Sequence, residues 1–191
     1  MSSTKNPSPE GSLLIRPAAA ADLGPITAIY AEAVRNGTAT FELVAPDLSE
    51  MTGRFDALIA QGYPYLAASI EGHVIGYAYA GPYRLRPAYR FTVENSLYLR
   101  SDIHRRGIGT SLLQALVVES AARGYRQMIA VIGDSANLAS IGVHRRCGFD
   151  LIGTHPDVGF KLGRWIDIVL MQRSLGEGAS SLPPSEATPH E

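Results

Sequence analysis

The sequence predicts a single mixed α/β domain, with one central sheet and helices on both of its faces. Three observations carry this. The 191 residues are enough for one core and barely enough for two. Hydrophobic residues make up 46% and charged residues 18%, an ordinary globular balance. The elements read in the order β-α-α-β-β-β-α-β-α-β-β, so helices alternate with strands only in the second half, which argues against a fully parallel doubly wound sheet.

Leu13-Leu14-Ile15 reads as a first strand. Asp22 is expected to cap a helix over Leu23 to Val34, with Ile26, Ile29 and Tyr30 at helical spacing. Asn36 to Pro46 reads as a loop, and Asp47 or Ser49 opens a second helix through Met51, Phe55 and Ile59 that Gly62 stops. Tyr65 to Ile70 and Val74 to Ala80 form a hairpin across the turn Glu71-Gly72. Gly81 to Pro87 is a loop, and Phe91 to Leu99 a longer strand. A strong helix over Gly107 to Arg123 ends at Gly124, and Met128 to Ile132 is a buried strand. Asn137 to Cys147 is a short helix, and strands follow near Phe149 to Gly153 and Ile166 to Gln172. Residues 1–11 and 176–191 are rich in Ser, Pro, Gly and Glu and read as disordered tails around a domain over residues 12–175.

Composition excludes several function classes. The net charge is -1, with no basic block for nucleic acid. The one cysteine, Cys147, excludes an intrachain disulfide and a cysteine-rich zinc site, and no metal is expected. The N-terminus lacks the basic and apolar regions of a secretory signal, and no apolar stretch approaches the length of a membrane span. The expectation is a cytoplasmic protein without membrane partners.

Two segments carry the chemistry. In the first, a strand ending at Leu99 leads through Arg100 to Arg106 into Gly107-Ile108-Gly109-Thr110 at the start of a helix. The first turn of a helix offers unpaired N–H groups and the positive end of its dipole, and glycines let an anion come close. With Arg105 and Arg106 beside it, this is a pyrophosphate cradle. It is not a Walker loop, because no Gly-Lys-Ser/Thr follows, and it lacks the third glycine of a dinucleotide fingerprint. Alone, it is also compatible with a plain glycine-rich helix start. In the second segment, Asn137 is a good N-cap, Ser140 lies in the first helical turn, and His144 sits four residues on along the same face. Alone, Asn137 reads as a simple cap and His144 as a structural histidine.

Together the two segments resemble the GNAT acetyltransferase superfamily, whose Gln/Arg-x-x-Gly-x-Gly/Ala motif is followed by Asn-x-x-Ser/Ala and then Tyr/His before Gly-Phe. His104 stands where the family usually has Gln or Arg. The strand Thr92-Val93-Glu94-Asn95-Ser96-Leu97-Tyr98-Leu99 is similar to that of phosphinothricin N-acetyltransferases and their methionine sulfoximine or sulfone relatives. So are Thr40-Phe41-Glu42, Val74 to Ala78 and Gly163 to Asp167. The likeness spans nearly all of Leu13 to Leu175 and implies the GNAT fold, a central, mostly antiparallel sheet.

The resemblance implies acetyl-CoA as co-substrate and a small amino-acid analogue as acceptor. Glu94 becomes the general base, a role that suits a carboxylate placed mid-strand, where it is otherwise uncommon. Leu97, Tyr98 and Leu99 lend backbone groups to the pantetheine arm. Arg105, Arg106, Gly107, Ile108, Gly109 and Thr110 hold the pyrophosphate, and Asn137 and Ser140 contact the CoA arm. His144 either protonates the leaving thiolate or orients CoA. Arg84, Leu85 and Arg86, with Glu94, Asn95 and Ser96, form the acceptor site, since a guanidinium suits a carboxylate. Phe41, Tyr83 and Tyr89 wall the pocket, while Phe160 and Trp165 close it or serve a dimer contact. The family precedent is a homodimer. Two alternatives stay open: a GNAT enzyme acting on a peptide N-terminus or another amine, and a non-catalytic acyl-CoA-binding regulator.

Overall fold

The computed structural model describes residues 12–103 and 107–183. Its strands and helices follow the predicted order: β1 (Leu13–Pro17), α1 (Leu23–Asn36), α2 (Leu48–Ala60), β2 (Tyr65–Ile70), β3 (His73–Pro82), β4 (Thr92–Leu99), α3 (Ile108–Ala122), β5 (Gln127–Gly133), α4 (Leu138–Arg146), β6 (Asp150–Lys161) and β7 (Arg164–Ser174). The strands form one sheet in the order β1-β2-β3-β4-β5-β7-β6. Neighbours run antiparallel except β4 and β5, which are parallel.

Helices cover both faces, as the pattern predicts. Ile108, Leu112, Leu113 and Leu116 of α3 and Ile141 of α4 join Val93, Met128 and Ala130 in one core. On the other face Ile26 and Tyr30 of α1 and Met51 and Phe55 of α2 pack on Tyr65 and Tyr77. Strand alternation divides β4 between these cores. Val93 is in the first and Leu97 and Leu99 pack against it, while Tyr98 packs against the second. Glu94 and Ser96 therefore face the α1–α2 side.

Two local expectations are corrected, at Asp22 and in the last hairpin, and of the two candidate caps for α2 one is selected. Asp22 does not cap α1 with its side chain. Its carboxylate accepts from both terminal nitrogens of Arg16, at 2.7 and 2.8 Å, and from the Ala19 N–H at 2.8 Å. A two-pronged guanidinium outcompetes a neutral helix N–H for the same oxygens. At α2 it is Asp47 that caps, accepting from the Glu50 N–H at 2.8 Å. The last hairpin is longer than predicted, since its strands hold 12 and 11 residues. Pro156, Gly153 and Gly159 interrupt the strand signal, and β6 absorbs them as an edge strand whose register shifts between Leu151 and Gly153 and between His155 and Gly159.

Side-chain contacts extend past Leu175. Leu175 is buried, and Arg126 reaches past it to Glu177 at 3.4 Å and to the Ser181 hydroxyl at 3.1 Å. The packed chain thus continues beyond residue 175, because one guanidinium supplies contacts that apolar content does not. Residues 1–11 and 184–191 of the expected tails lie outside the described residues.

Candidate active site

The site is built by the one parallel pairing. β4 pairs with β5 only over Thr92–Asn95 against Gln127–Ala130. On its other side β4 stays paired with β3 as far as Leu99. Beyond Asn95 the two parallel strands part, so Ser96 to Leu99 present an open backbone edge toward β5. The wedge opens into a cavity of about 250 Å³. Its walls come from β4 (Glu94 to Tyr98), β5 (Ala130 to Gly133), the loop after α1 (Ala39, Thr40, Phe41), Tyr30 and Tyr79, and Asn137, Ser140 and His144 of the α4 region.

Glu94 lines this cavity half-buried, and burial alone pushes its carboxyl above the usual carboxylate range. A base with raised affinity for a proton is better matched to an ammonium group. Around it stand tyrosines. Burial raises the Tyr79 phenol against the opposing pull of nearby Ser96, so it stays protonated at neutral pH. Tyr30 shares a 3.0 Å hydrogen bond with the Thr40 hydroxyl. Tyr98 lies edge-on to Tyr30 with ring centroids 5.0 Å apart.

On the opposite face of β4, Asn95 is buried and engaged at both ends. Its Nδ2 donates to the Ile129 carbonyl at 3.1 Å, and its Oδ1 lies 3.0 Å from His144 Nε2. His144 Nδ1 lies 2.8 Å from the Ser140 carbonyl and 3.5 Å from the Ser140 hydroxyl. Burial pushes the His144 pKa down, toward the neutral ring. A neutral imidazole carries one N–H, yet two carbonyl-type acceptors face its two nitrogens. Hydrogen bonding thus favours a second proton where burial opposes it.

The other sequence-predicted residues fall into three groups. Asn137 lines the cavity while its side chain caps α4, accepting from the Ser140 N–H at 3.1 Å. Gly107 takes the left-handed conformation at φ 74° as the α3 N-cap, which glycine alone adopts without strain. Gly109 is buried against Leu97 and Leu99 of β4 and Val143 of α4, so the N-terminus of α3 abuts the open end of β4. Arg105 and Arg106, with His104, lie outside the described residues. Arg84, Leu85 and Arg86 are exposed and do not line the cavity. The Arg84 guanidinium lies over the rings of Tyr83 and Tyr89, at 5.2 and 5.8 Å. Their loop leaves β3 where Gly81 pairs with Glu94. Phe160 and Trp165 pack edge-on at 5.4 Å on an exposed part of the last hairpin.

An open strand edge, a glycine-capped helix start beside it, and a carboxylate in the cleft between two diverging parallel strands form one arrangement. The model of the acetyltransferase (GNAT) family matches residues 27–149. The chain belongs to the GNAT family of acetyltransferases. It is an N-acetyltransferase. Phosphinothricin N-acetyltransferase of Alcaligenes faecalis is 51% identical over 162 residues, 85% of this chain and 82% of that protein. The L-methionine sulfoximine/L-methionine sulfone acetyltransferase of Pseudomonas aeruginosa PAO1 is 47% identical over 86% of this chain and 95% of its own. Among solved structures, a phosphinothricin acetyltransferase from Sinorhizobium meliloti in complex with AcCoA superposes with a TM-score of 0.89 at 49% identity, covering 93% of this chain and 96% of that one.

Sequence reasoning missed Tyr30, Tyr79 and Ala39 as cavity residues, placing Tyr30 on the helical stripe of α1 and Tyr79 within a strand. Their spacing is that of buried faces, and only the depth of the wedge turns them toward the site.

Proposed function

We propose that this enzyme transfers the acetyl group of acetyl-CoA to the α-amine of a small free amino-acid analogue, such as phosphinothricin, methionine sulfoximine or methionine sulfone. The observation that carries the reading is the compact cavity with Glu94 in its wall at the point where β4 and β5 part. The cavity has room for the acetyl end of the cofactor beside one small acceptor. The names of the relatives point to the same acceptor class.

The cofactor fits the residues present. The open edge of Leu97, Tyr98 and Leu99 can pair with the amide-bearing pantetheine arm as an added strand would. The N–H groups of Ile108, Gly109 and Thr110 in the first turn of α3 suit the pyrophosphate, and Arg105 and Arg106 add charge. Asn137 and Ser140 stand beside the arm. When bound, acetyl-CoA supplies an activated acyl group.

Glu94 takes a proton from the acceptor ammonium, directly or through one water, and frees the amine to attack the thioester carbonyl. The C–S bond then breaks and the amide forms. His144 protonates the leaving thiolate or orients CoA. Arg84 and Arg86 attract the acceptor carboxylate at the mouth of the β3–β4 loop, and Ser96 and the Tyr79 hydroxyl offer polar contacts beside Glu94. The enzyme works as a homodimer in the cytoplasm. The exposed apolar side chains of Leu151, Ile152, Val158, Phe160 and Trp165 on β6 and β7 favour self-association. Among the described residues no helix is long and apolar enough to cross a membrane.

The test is turnover of acetyl-CoA against a panel of free amino acids, the three analogues, their amides, a short peptide and a polyamine. Selective turnover of the free analogues is expected. Preference for the peptide or polyamine overturns the acceptor class.

A further inference from the structure

Lys161 is one of the two lysines of a chain that otherwise uses arginine for its cations, the other being Lys5. It is the last residue of β6, and it is 4% exposed. An ammonium rarely enters a protein interior without a partner that repays its lost hydration. Here its Nζ donates to the Thr40 carbonyl at 2.7 Å, across 121 positions of sequence. Burial lowers its pKa, and the carboxylate of Glu42 opposes that shift.

Thr40 belongs to the cavity wall, together with Ala39 and Phe41. The hairpin grips this loop at a second point. Gly159 lies two residues before Lys161, on the same side of β6, and the Phe41 ring rests directly on it. A Cβ at Gly159 would overlap that ring. The sheet meets the loop at a third point, where a Cβ on Gly133 at the end of β5 would overlap the Thr38 carbonyl oxygen. Asp134 then accepts from the Thr38 hydroxyl at 3.2 Å. With its carbonyl held by Lys161, Thr40 keeps its hydroxyl 3.0 Å from the Tyr30 phenol.

A structural core would be served as well by a methionine of similar length. Lysine differs in satisfying a loop carbonyl that no strand or helix pairs, and an unsatisfied buried carbonyl is costly. The loop and Glu94 line the same cavity, so the loop's position sets the space left for the acceptor. We propose that Lys161 is a positioning residue. Through the Thr40 carbonyl it fixes the Ala39–Phe41 wall and thereby sets acceptor affinity, with Gly159 as the flat seat for Phe41. This rests on the reading of the cavity as the acceptor pocket.

The test uses the full chain with Lys161→Met and, separately, Gly159→Ala. Steady-state kinetics with both substrates varied, and hydrogen exchange of the peptide spanning residues 37–42, are measured on each. Lys161→Met is expected to raise the acceptor KM roughly tenfold or more, as the loss of a charged hydrogen bond implies. The acetyl-CoA KM should stay within about twofold, because the backbone of Leu97 to Leu99 and the start of α3, which would hold the cofactor, make no contact with Lys161. Exchange should quicken in 37–42 and not in α3. Gly159→Ala should give the same KM split by displacing Phe41, and it decides the matter if the methionine variant does not fold. Unchanged exchange in 37–42 overturns the clamp whatever the acceptor is. An equal rise in both KM values, or a fall in Tm without a KM split, reduces Lys161 to a structural role and overturns the proposal. If the wild type acetylates some other amine, the acceptor class above fails. The KM split is then read with that amine, and the exchange measurement stands unaltered.

Discussion

Replacing Glu94 by glutamine keeps the shape of the side chain while removing its charge and its capacity to take a proton. The structure makes this a clean perturbation. The carboxylate lines the cavity, and burial is the one cause of its raised pKa, so no ion pair is broken by the change. General-base assistance contributes typically ~10²–10⁴-fold, about 2.7–5.5 kcal/mol of barrier. Glu94→Gln is therefore expected to lower single-turnover acetyl transfer by roughly that factor at neutral pH, with acetyl-CoA affinity nearly unchanged. The wild-type rate should fall as pH drops through the raised Glu94 pKa, and the variant should lack that limb. Stability should move the other way. The native state holds this proton more tightly than the unfolded chain, so ionising Glu94 costs stability as pH rises from its ordinary value through its raised one. Glu94→Gln removes that cost and should be at least as stable as wild type at neutral pH. The assay is stopped-flow thiol release under single-turnover conditions, with thermal unfolding measured alongside. An unaltered rate and pH profile would remove Glu94 from the mechanism.

Other expectations follow from the same geometry. Acetyl-CoA at ~100 times its Kd should stabilise the protein by about 2.7 kcal/mol, and Gly107→Val, forced into a left-handed conformation, should shrink that thermal shift markedly. Arg84→Ala should raise the acceptor KM severalfold by loss of the guanidinium's attraction for the acceptor carboxylate, with little change for acetyl-CoA. Equal activity of the wild type on carboxylate and amide acceptors would count against Arg84 as the anchor. His144 has a lowered native pKa, so the unfolded state binds its proton more readily and stability should fall as pH drops below about 6.5. Asn95→Asp, which places a carboxylate on His144 Nε2, should raise that pKa in a histidine NMR titration. A flat titration shift would refute the contact.

Much of the fold was legible because local signals agreed with tertiary need. Glu71 and Gly72 both take positive φ, at 51° and 80°, as the two-residue hairpin demands. Helical spacing in α1 and α3 names the faces that are buried. What failed was non-local. Asp22 is a sound cap by local rule, but Arg16 from the preceding strand takes its carboxylate. The outer half of β6 is hidden by Pro156 and Gly159, which an edge strand tolerates and a propensity reading rejects. At the site, Glu94 stood out as a carboxylate in a strand. Lys161 did not, because a lone lysine before Leu162-Gly163 reads as a solvated hairpin tip. Its partner lies 121 residues away and is a backbone carbonyl, which no side-chain pattern announces. Arg84 and Arg86 look from sequence like pocket residues, yet they lie exposed outside the cavity wall.

The central claim is tested most directly by following the acetyl group itself. The enzyme is incubated with acetyl-CoA labelled with carbon-13 on the acetyl carbonyl and with phosphinothricin, methionine sulfoximine or methionine sulfone, and the products are read by NMR. The expected result is a labelled amide on the α-nitrogen of the analogue, formed in step with free CoA and strongly reduced in Glu94→Gln. Release of CoA without that amide, or label appearing only on a peptide or polyamine offered in competition, would contradict the account.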